Sequence, residues 1–527
     1  MDAAYFLVPF VAGVAAMVVR LPPMIGFLAA GFALNAMGYE AKEPLLTIAD
    51  LGVTLLLFTI GLKLNVRTLL RKEVWGTSSL HVGGYVVLVV GVLSALKLTG
   101  IALLADGGWR TTLVLAFALS FSSTVFAVKA LEDRSDTRSF YGRIAIGVLV
   151  MQDVFAVVFI TASSGELPSP WAVLLLGLIP ATPLLRALLP RVGHSEMQIL
   201  YGVVLALVVG YALFDSVGIK GDLGALIVGM LLAPHPSANG LSKALFQMKE
   251  LFLVGFFVSI GLMALPTWSS FGIAALLLIL LPLKGVLFAF LFNGFRVRYR
   301  TALLSTLALT NFSEFGLIVA AIAVGKGWMS ADWLVVMSLT VALSLVLAAL
   351  LDTRSHAIHD WLVPKLPAQD PVRLHPNDRP IELGDARAVV LGMGRVGRGA
   401  YDRIVEHYGV PTLGIDSDED KVTELKALGY NIIEADASDS DFWDKLTWSD
   451  QVELVLLAMP DHAGNFYAIE ELHNRACAGR IAAAIRYPEE AEVLRERGVD
   501  AVFHVYNEAG SALADSAAES AGLRPPA

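Results

Sequence analysis

Residues 118–126 read ALSFSSTVF and residues 308–316 read ALTNFSEFG, an offset of 190 (308 − 118). Each sets a run of Ser, Thr and Asn in the middle of a long apolar stretch. Such side chains offer the backbone alternative hydrogen bonds, so within an apolar span they mark a broken or bent helix. The echo recurs twice more. Residues 51–64 (LGVTLLLFTIGLKL) resemble 251–264 (LFLVGFFVSIGLMA), which sets Gly61 against Gly261 at an offset of 200. Residues 26–34 (GFLAAGFAL) resemble 224–232 (GALIVGMLL) at an offset of 198.

The composition says what solvent these stretches meet. Of 527 residues 56% are hydrophobic and 17% charged, with a mean hydropathy of +0.66, more apolar surface than a soluble chain can hide. Runs of about 20 apolar residues cross a bilayer as helices. Run length predicts roughly thirteen spans, near 4–19, 22–38, 44–62, 74–97, 110–131, 141–163, 170–189, 196–214, 221–234, 246–265, 270–294, 300–325 and 331–352. The start, MDAAYFLVPFVAG, lacks a basic region and reads as a first span. The single cysteine, Cys477, offers neither a disulfide framework nor a thiolate metal site. The net charge of −9 comes with no basic stripe, so nucleic acid is not an expected partner.

Charge alternates between joints. Those after odd-numbered spans carry Arg20; Lys63, Arg67, Arg71 and Lys72; Arg134, Arg138 and Arg143; Arg186 and Arg191; Lys243 and Lys249; Arg296, Arg298 and Arg300. Those after even-numbered spans carry Lys42, Lys97, Lys220 and Lys326. Lys and Arg mark the cytoplasmic side, so the N-terminus is expected outside and the C-terminal part in the cytoplasm. The paired echoes are seven spans apart, and an odd separation inverts orientation. Inverted-topology repeats are a transporter architecture, with the binding site where discontinuous helices meet at the repeat interface.

Four ionisable residues inside spans are functional candidates, because charge in a membrane is costly: Asp153, Lys284, Glu314 and His81. A carboxylate at Asp153 holds either a proton or a monovalent cation on the same oxygens. That competition gives exchange when the site opens to one side at a time. Gln152 offers an amide oxygen beside it. Lys284, between Pro282 and Gly285, is expected to pair with Asp153 when no cation is bound, with lowering of the local charge without titration in the cycle as the alternative. Ser122, Ser123, Thr124 and Asn311 lie in the two polar breaks, and Glu314 is expected to neutralise the helix ends there. His81 is expected to be a satisfied packing histidine.

Residues 353–385 form a linker with Pro364, Pro367, Pro371, Pro376 and Pro380. From Asp385 short apolar strands alternate with polar helices, which predicts a doubly wound parallel sheet. Strands are expected at 387–392, 411–416, 431–436, 452–460 and 480–486. Gly392-Met393-Gly394-Arg395-Val396-Gly397 follows the first strand and opens a helix, and Asp416 ends the next strand 22 residues after Gly394 (416 − 394). That context fits a dinucleotide-binding fold: glycines for close backbone approach, a helix N-terminus for phosphate, an acid for ribose hydroxyls. Asp416 disfavours a 2′-phosphate, so NAD(H) or AMP is the expected ligand. Arg395 is placed near phosphate, Asp436 near the adenine end, with helix capping as its plain alternative. About 140 residues follow the linker, room for one nucleotide-binding unit and no substrate domain, so sensing is expected over hydride transfer.

Taken together, Gln152-Asp153, residues 122–124 (SST), residues 312–315 (FSEF), Lys284 and residues 57–62 (LFTIGL) resemble the Kef-type potassium:proton antiporters of the monovalent cation:proton antiporter family. The resemblance extends to the C-terminal nucleotide-binding domain of the TrkA-N/RCK type. It implies an all-α polytopic domain at 1–352 with inverted repeats and crossed unwound helices, and an α/β Rossmann-like cytoplasmic domain at 386–527. It implies a homodimer in the bacterial inner membrane. Gln-Asp, rather than Asp-Asp, implies electroneutral exchange of one cation for one H⁺, and the Kef-type resemblance implies K⁺ as that cation. Na⁺/H⁺ exchange on the same fold and a nucleotide-gated potassium channel are the alternatives. No TVGYG-like filter is present, and a buried carboxylate suits coupling better than conduction. In one stretch the sequence departs from the family: glutathione-gated members carry an acidic loop before span ten, whereas residues 239–250 (NGLSKALFQMKE) are more basic, so glutathione regulation is not implied. Arg486 is a candidate for a ligand cleft.

Overall fold

The computed structural model describes residues 2–19, 22–63, 69–98, 108–133, 136, 139–164, 169–192, 196–219, 221–235, 237–263, 265–447, 451–459, 462–475, 477–485 and 489–521. Arg20, Arg67, Arg134, Arg138, Lys220 and Arg486 lie outside them. The chain forms two compact units, residues 1–130 with 144–368, and residues 131–143 with 369–527.

The first unit is helical. The helices that matter below are α1 (Glu43–Lys63), α2 (Lys72–Lys97), α3 (Trp109–Ser120), α4 (Thr124–Asp133), α5 (Phe140–Ser164), α6 (Gly221–Leu232), α7 (Ala238–Met263), α8 (Leu280–Gly294), α9 (Tyr299–Leu309), α10 (Glu314–Gly325) and α11 (Ala331–Asp352). Among the described residues eight helices are long and apolar enough to cross a membrane, and α9 with α10 makes one further, bent span. Shorter apolar helices run over Ala4–Val18, Pro23–Ala36 and Leu223–Leu232. Phe10, Trp171, Leu174 and Phe290 are at least two-thirds exposed, faces that lipid covers and water would not tolerate.

Both predicted breaks are present. Helix α3 ends at Ser120, Phe121 is extended, and α4 begins at Thr124. Helices α9 and α10 are separated by residues 310–313 and bent by 41°. Ser313 caps α10, its hydroxyl accepting from the Phe315 N–H at 3.1 Å.

Glycines let helices touch backbone to backbone. A Cβ on Gly31 would lie 2.5 Å from the Val258 carbonyl oxygen and 2.7 Å from Gly261 Cα. A Cβ on Gly61 would lie 2.3 Å from the Leu226 carbonyl oxygen and 3.0 Å from Gly229 Cα. Gly31 and Gly229 are equivalent in the repeat, as are Gly61 and Gly261. Each contact is therefore the image of the other, as a two-fold relation between inverted repeats requires.

The second unit carries a parallel six-stranded sheet: β1 (Ala388–Leu391), β2 (Thr412–Asp416), β3 (Ile432–Glu434), β4 (Leu454–Leu457), β5 (Arg480–Ile485) and β6 (Ala501–His504). The order is β3-β2-β1-β4-β5-β6, the doubly wound arrangement with its switch point between β1 and β4. A short parallel pair, Ile381–Glu382 with Leu446–Thr447, stands apart from it. The first helix after β1, α12, runs over Arg395–Tyr408.

Candidate functional site

In the first unit the two breaks cross, and side chains from three helices bind them together. The Ser122 hydroxyl donates to the Leu309 carbonyl at 2.7 Å. The Ser123 N–H donates to Asn311 Oδ1 at 2.6 Å, while Asn311 Nδ2 donates to the Ala308 carbonyl at 2.8 Å. Phe312 N–H donates to the Ser344 hydroxyl on α11 at 3.0 Å. Gln152 on α5 braces the first break: its Oε1 accepts from the Ser122 N–H at 2.9 Å and its Nε2 donates to the Ser120 carbonyl at 3.3 Å. The helix breaks leave these backbone groups without helical partners, and burial makes each unmade bond expensive.

Lys284 has a different partner from the one its sequence position suggests. It is fully buried, and its Nζ donates to the carbonyls of Phe121 at 2.6 Å, Asn311 at 2.8 Å and Leu119 at 3.3 Å. No ion pair within 4 Å links it to Asp153 among the described residues. The ammonium stands where two helix C-terminal ends converge, which is where a cation is favoured by their dipoles.

Asp153, on α5 beside Gln152, is 2% exposed. One hydrogen bond reaches it within the described residues, from the Thr124 hydroxyl at 3.3 Å, and no Lys or Arg nitrogen lies within 4 Å. A buried carboxylate with one long bond and no counter-ion has coordination to spare. Glu314, 3% exposed, is met by the Ser313 hydroxyl at 3.4 Å at the start of α10, where a carboxylate is favoured by the helix dipole. His81 is fully buried and stacked on Phe288 at 3.5 Å between ring centroids. It packs as expected, but neither ring nitrogen has a hydrogen-bond partner among the described residues.

One contributor was missed in the sequence and one charge was misplaced. Ser344 sits in an unbroken apolar run with nothing to single it out. Lys249 was counted with the joint after span nine; it lies instead within α7, 4% exposed, because that helix starts at Ala238 rather than near 246.

In the second unit a cavity of about 800 Å³ opens at the switch point. Gly392, Gly394, Arg395, Val396, Asp416 and Asp436 all line it. Gly392 has φ +95°, a backbone conformation that side chains disfavour. Gly397 lies beneath, where a Cβ would stand 1.8 Å from the Gly392 carbonyl oxygen. Helix α12 starts without a side-chain cap, leaving its first N–H groups for an anion. Asp416 accepts from the Met393 N–H at 2.8 Å, the Asp418 N–H at 3.0 Å and Lys421 Nζ at 3.0 Å. Asp436 turns onto Ser438, whose N–H reaches its Oδ1 at 3.0 Å. Capping at the following helix falls to Asp439, whose side chain accepts from the Asp441 N–H. Lys421 and Asn465 also line the cavity and were not anticipated.

Residues 3–353 match the family described as "Sodium/hydrogen exchanger, transmembrane", and residues 388–505 match the TrkA-N domain. The glutathione-regulated potassium-efflux system protein KefC of Cronobacter sakazakii is 28% identical over 507 residues, 91% of this chain and 78% of that protein. The sodium proton antiporter MjNhaP1 of Methanocaldococcus jannaschii is 13% identical, covering 67% of this chain and 96% of that one at a TM-score of 0.47. The TrkA-N domain of the inner membrane protein ybaL of Escherichia coli is 18% identical, covering 24% of this chain and 94% of that one at a TM-score of 0.22. With two-thirds of its length matched by a transporter family rather than an enzyme family, this chain belongs to the sodium/hydrogen exchanger family and carries a TrkA-N domain behind the membrane part.

Proposed function

We propose that this protein exchanges a monovalent cation, K⁺, for H⁺ across the bacterial inner membrane, one for one, under control of a nucleotide. Residues 1–352 transport, 353–385 link, and 386–527 form the regulatory domain on the cytoplasmic side, with the N-terminus outside. Two chains pair as a homodimer embedded in lipid. Asp153 is the shared carrier. The observation that supports this is its burial with one long hydrogen bond and no counter-ion. A proton satisfies that carboxylate in one state and a partly dehydrated cation in the other. Thr124 is the hydroxyl nearest to hand, while Gln152, Ser122, Ser123, Asn311 and Lys284 hold the crossing in shape. K⁺ is favoured by the potassium-efflux relative; the family description leaves Na⁺ as the second reading.

The regulatory ligand is NAD(H) or AMP, with phosphate at Gly394, Arg395 and Val396, and the ribose at Asp416. Proton flux in proteoliposomes, followed with an internal pH dye as K⁺ or Na⁺ is added under clamped and free potential, tests the transport reading. K⁺-driven flux insensitive to potential and absent in Asp153→Asn is expected. K⁺ passage without proton movement would replace exchange by a channel.

A further inference from the structure

The segment that joins α4 to α5 folds apart from the rest of those helices. Residues 131–143 belong to the second compact unit, with 369–527. In the chain they lie between the two helices that bear the site: α4 begins at Thr124, and α5 carries Gln152 and Asp153. One buried side chain fixes the segment. Asp136 is 2% exposed; its Oδ1 accepts from the Ser440 hydroxyl at 2.8 Å and its Oδ2 from the Tyr141 hydroxyl at 2.5 Å. Phe140 stacks on His375 with 4.9 Å between ring centroids. Ser440 stands between two more buried carboxylates, Asp439 and Asp441. Asp441 is matched by Lys445 Nζ at 2.6 Å, an ammonium that also donates to the Asn377 carbonyl at 3.1 Å. Asp439 accepts from the Asp441 N–H at 2.8 Å, and no ion pair within 4 Å reaches it among the described residues. Burial, then the Asp441 and Asp136 carboxylates, hold its carboxyl up to about 8 against the pull of Lys445. Asp444 shares its helix, and Tyr467 and Glu471 face it from the helix His462–Asn474. The cavity of about 690 Å³ that Asp439 borders is also lined by Arg143, Arg379, Lys426, Glu382, Glu434 and Asp436.

We propose that Asp136, Ser440 and Asp439 form a proton-held latch on the connection between α4 and α5, shut while Asp439 keeps its proton and opened by alkaline water around the second unit, so that exchange acquires a pH dependence separate from that of Asp153. The inference rests on the reading of Asp153 as the carrier. Opening to the two sides in turn requires α4 and α5 to shift, and a connection pinned inside another compact unit opposes that shift. With Asp439 ionised, three buried carboxylates share one ammonium, and letting Asp136 and Ser440 part into water relieves the crowding. The closed latch gives up its proton near pH 8, a released and hydrated carboxyl near pH 4. Release therefore becomes easier by up to about tenfold per pH unit between those limits, and no easier above 8. Asp439 thus holds exchange back at neutral and acid pH, and the restraint is gone by pH 8.

Asp439→Asn and Ser440→Ala act on the latch in opposite senses. Asn keeps an oxygen for the Asp441 N–H and never ionises, so the latch stays shut at every pH. Ala takes the donor from a buried Asp136 oxygen, so the latch opens early. The full chain is placed in proteoliposomes with K⁺ as the probe and equal pH on both faces, from 6 to 9. Relative to the wild type, Asp439→Asn is slower at pH 8 by about threefold or more and little changed at pH 6, and Ser440→Ala is faster at pH 6 by about threefold or more. Amide hydrogen exchange, expressed as protection against the intrinsic rate, reads the latch itself. The reporters are Asp136, whose N–H donates to the Leu131 carbonyl at 2.8 Å, and Gly142, whose N–H donates to the Ser139 hydroxyl at 2.9 Å. Their protection falls from pH 6 to 8 in the wild type, persists in Asp439→Asn and is lost at pH 6 in Ser440→Ala. An Asp439→Asn profile that superimposes on the wild type overturns the proposal, as does protection that follows pH while exchange does not, or a Ser440→Ala unchanged at pH 6. Should Ser440→Ala not assemble, Asp439→Asn decides alone. Asp153→Asn runs beside them: exchange surviving there sinks the carrier reading and this inference with it, whereas a silent Asp153→Asn with an unmoved Asp439→Asn sinks the latch alone.

Discussion

The Nζ of Lys284 lies 2.6 Å from the carbonyl oxygen of Phe121, and this contact defines what the lysine does. It answers the carbonyls that two broken helices leave without N–H partners. Replacing Lys284 by Met removes three hydrogen bonds from one buried point, each to a charged donor. A loss of about 3 kcal/mol or more in stability follows, read as a lower melting temperature in detergent. A lysine paired with Asp153 would instead have shown itself in the cation KM.

Asn311→Leu strips the acceptor from the Ser123 N–H while keeping the side-chain volume close. The buried N–H is then unsatisfied, at about 1–3 kcal/mol. The expected outcome is slower exchange at saturating K⁺ and faster amide hydrogen exchange across residues 120–124, measured by mass spectrometry.

Gly61→Ala drives a Cβ to 2.3 Å from a carbonyl that belongs to the helix backbone and cannot swing away. It destabilises by about 1–3 kcal/mol. Gly83→Ala, where nothing lies within 4 Å of the new atom, leaves the melting temperature unchanged or raises it.

Gly392→Ala meets two obstacles, a φ of +95° and a Cβ 2.8 Å from the Ala458 carbonyl oxygen. Calorimetric titration of the full chain with NADH and with AMP is expected to show binding weakened at least about tenfold, the equivalent of roughly 1.4 kcal/mol. Exchange in the absence of nucleotide is the control that the membrane unit remains intact.

Burial, with the Asp441 carboxylate beside it, holds the Asp439 carboxyl up to about 8. The unfolded chain releases that proton near pH 4. The folded state therefore holds a proton that the unfolded state does not, and the associated stability is complete below about pH 4 and lost as pH rises through 8. The second unit is expected to melt at lower temperature at pH 9 than at pH 6. Asp439→Asn, which keeps an oxygen for the Asp441 N–H, flattens that dependence in a pH series of melts followed by the Trp443 segment.

Much of this was legible from residue order. The two polar runs announced the helix breaks, because Ser, Thr and Asn have few uses in mid-span. The spacing from Gly392 to Asp416 announced the cavity at the switch point of the sheet. The partners of buried charges were not legible. Lys284 declares only that a cation is buried; that its site is made of carbonyls depends on how two breaks cross, which no local pattern encodes. Gln152 advertises an amide oxygen, but not that the Ser122 N–H already uses it. Strand β6 escaped notice because four residues beginning after Asp500 and ending in His504 carry too little apolar alternation to register.

The Gly31–Gly261 and Gly61–Gly229 contacts have an ancestral corollary. Each joins an element of one repeat to the non-equivalent element of the other, so a half-length chain possesses both surfaces. Set against an upside-down copy of itself, such a half would form the same two joints as an isologous dimer. Fusion of the halves would then add no new contact; it would only fix the stoichiometry, and free each half to diverge, as the Thr310–Glu314 stretch has from Ser120–Thr124.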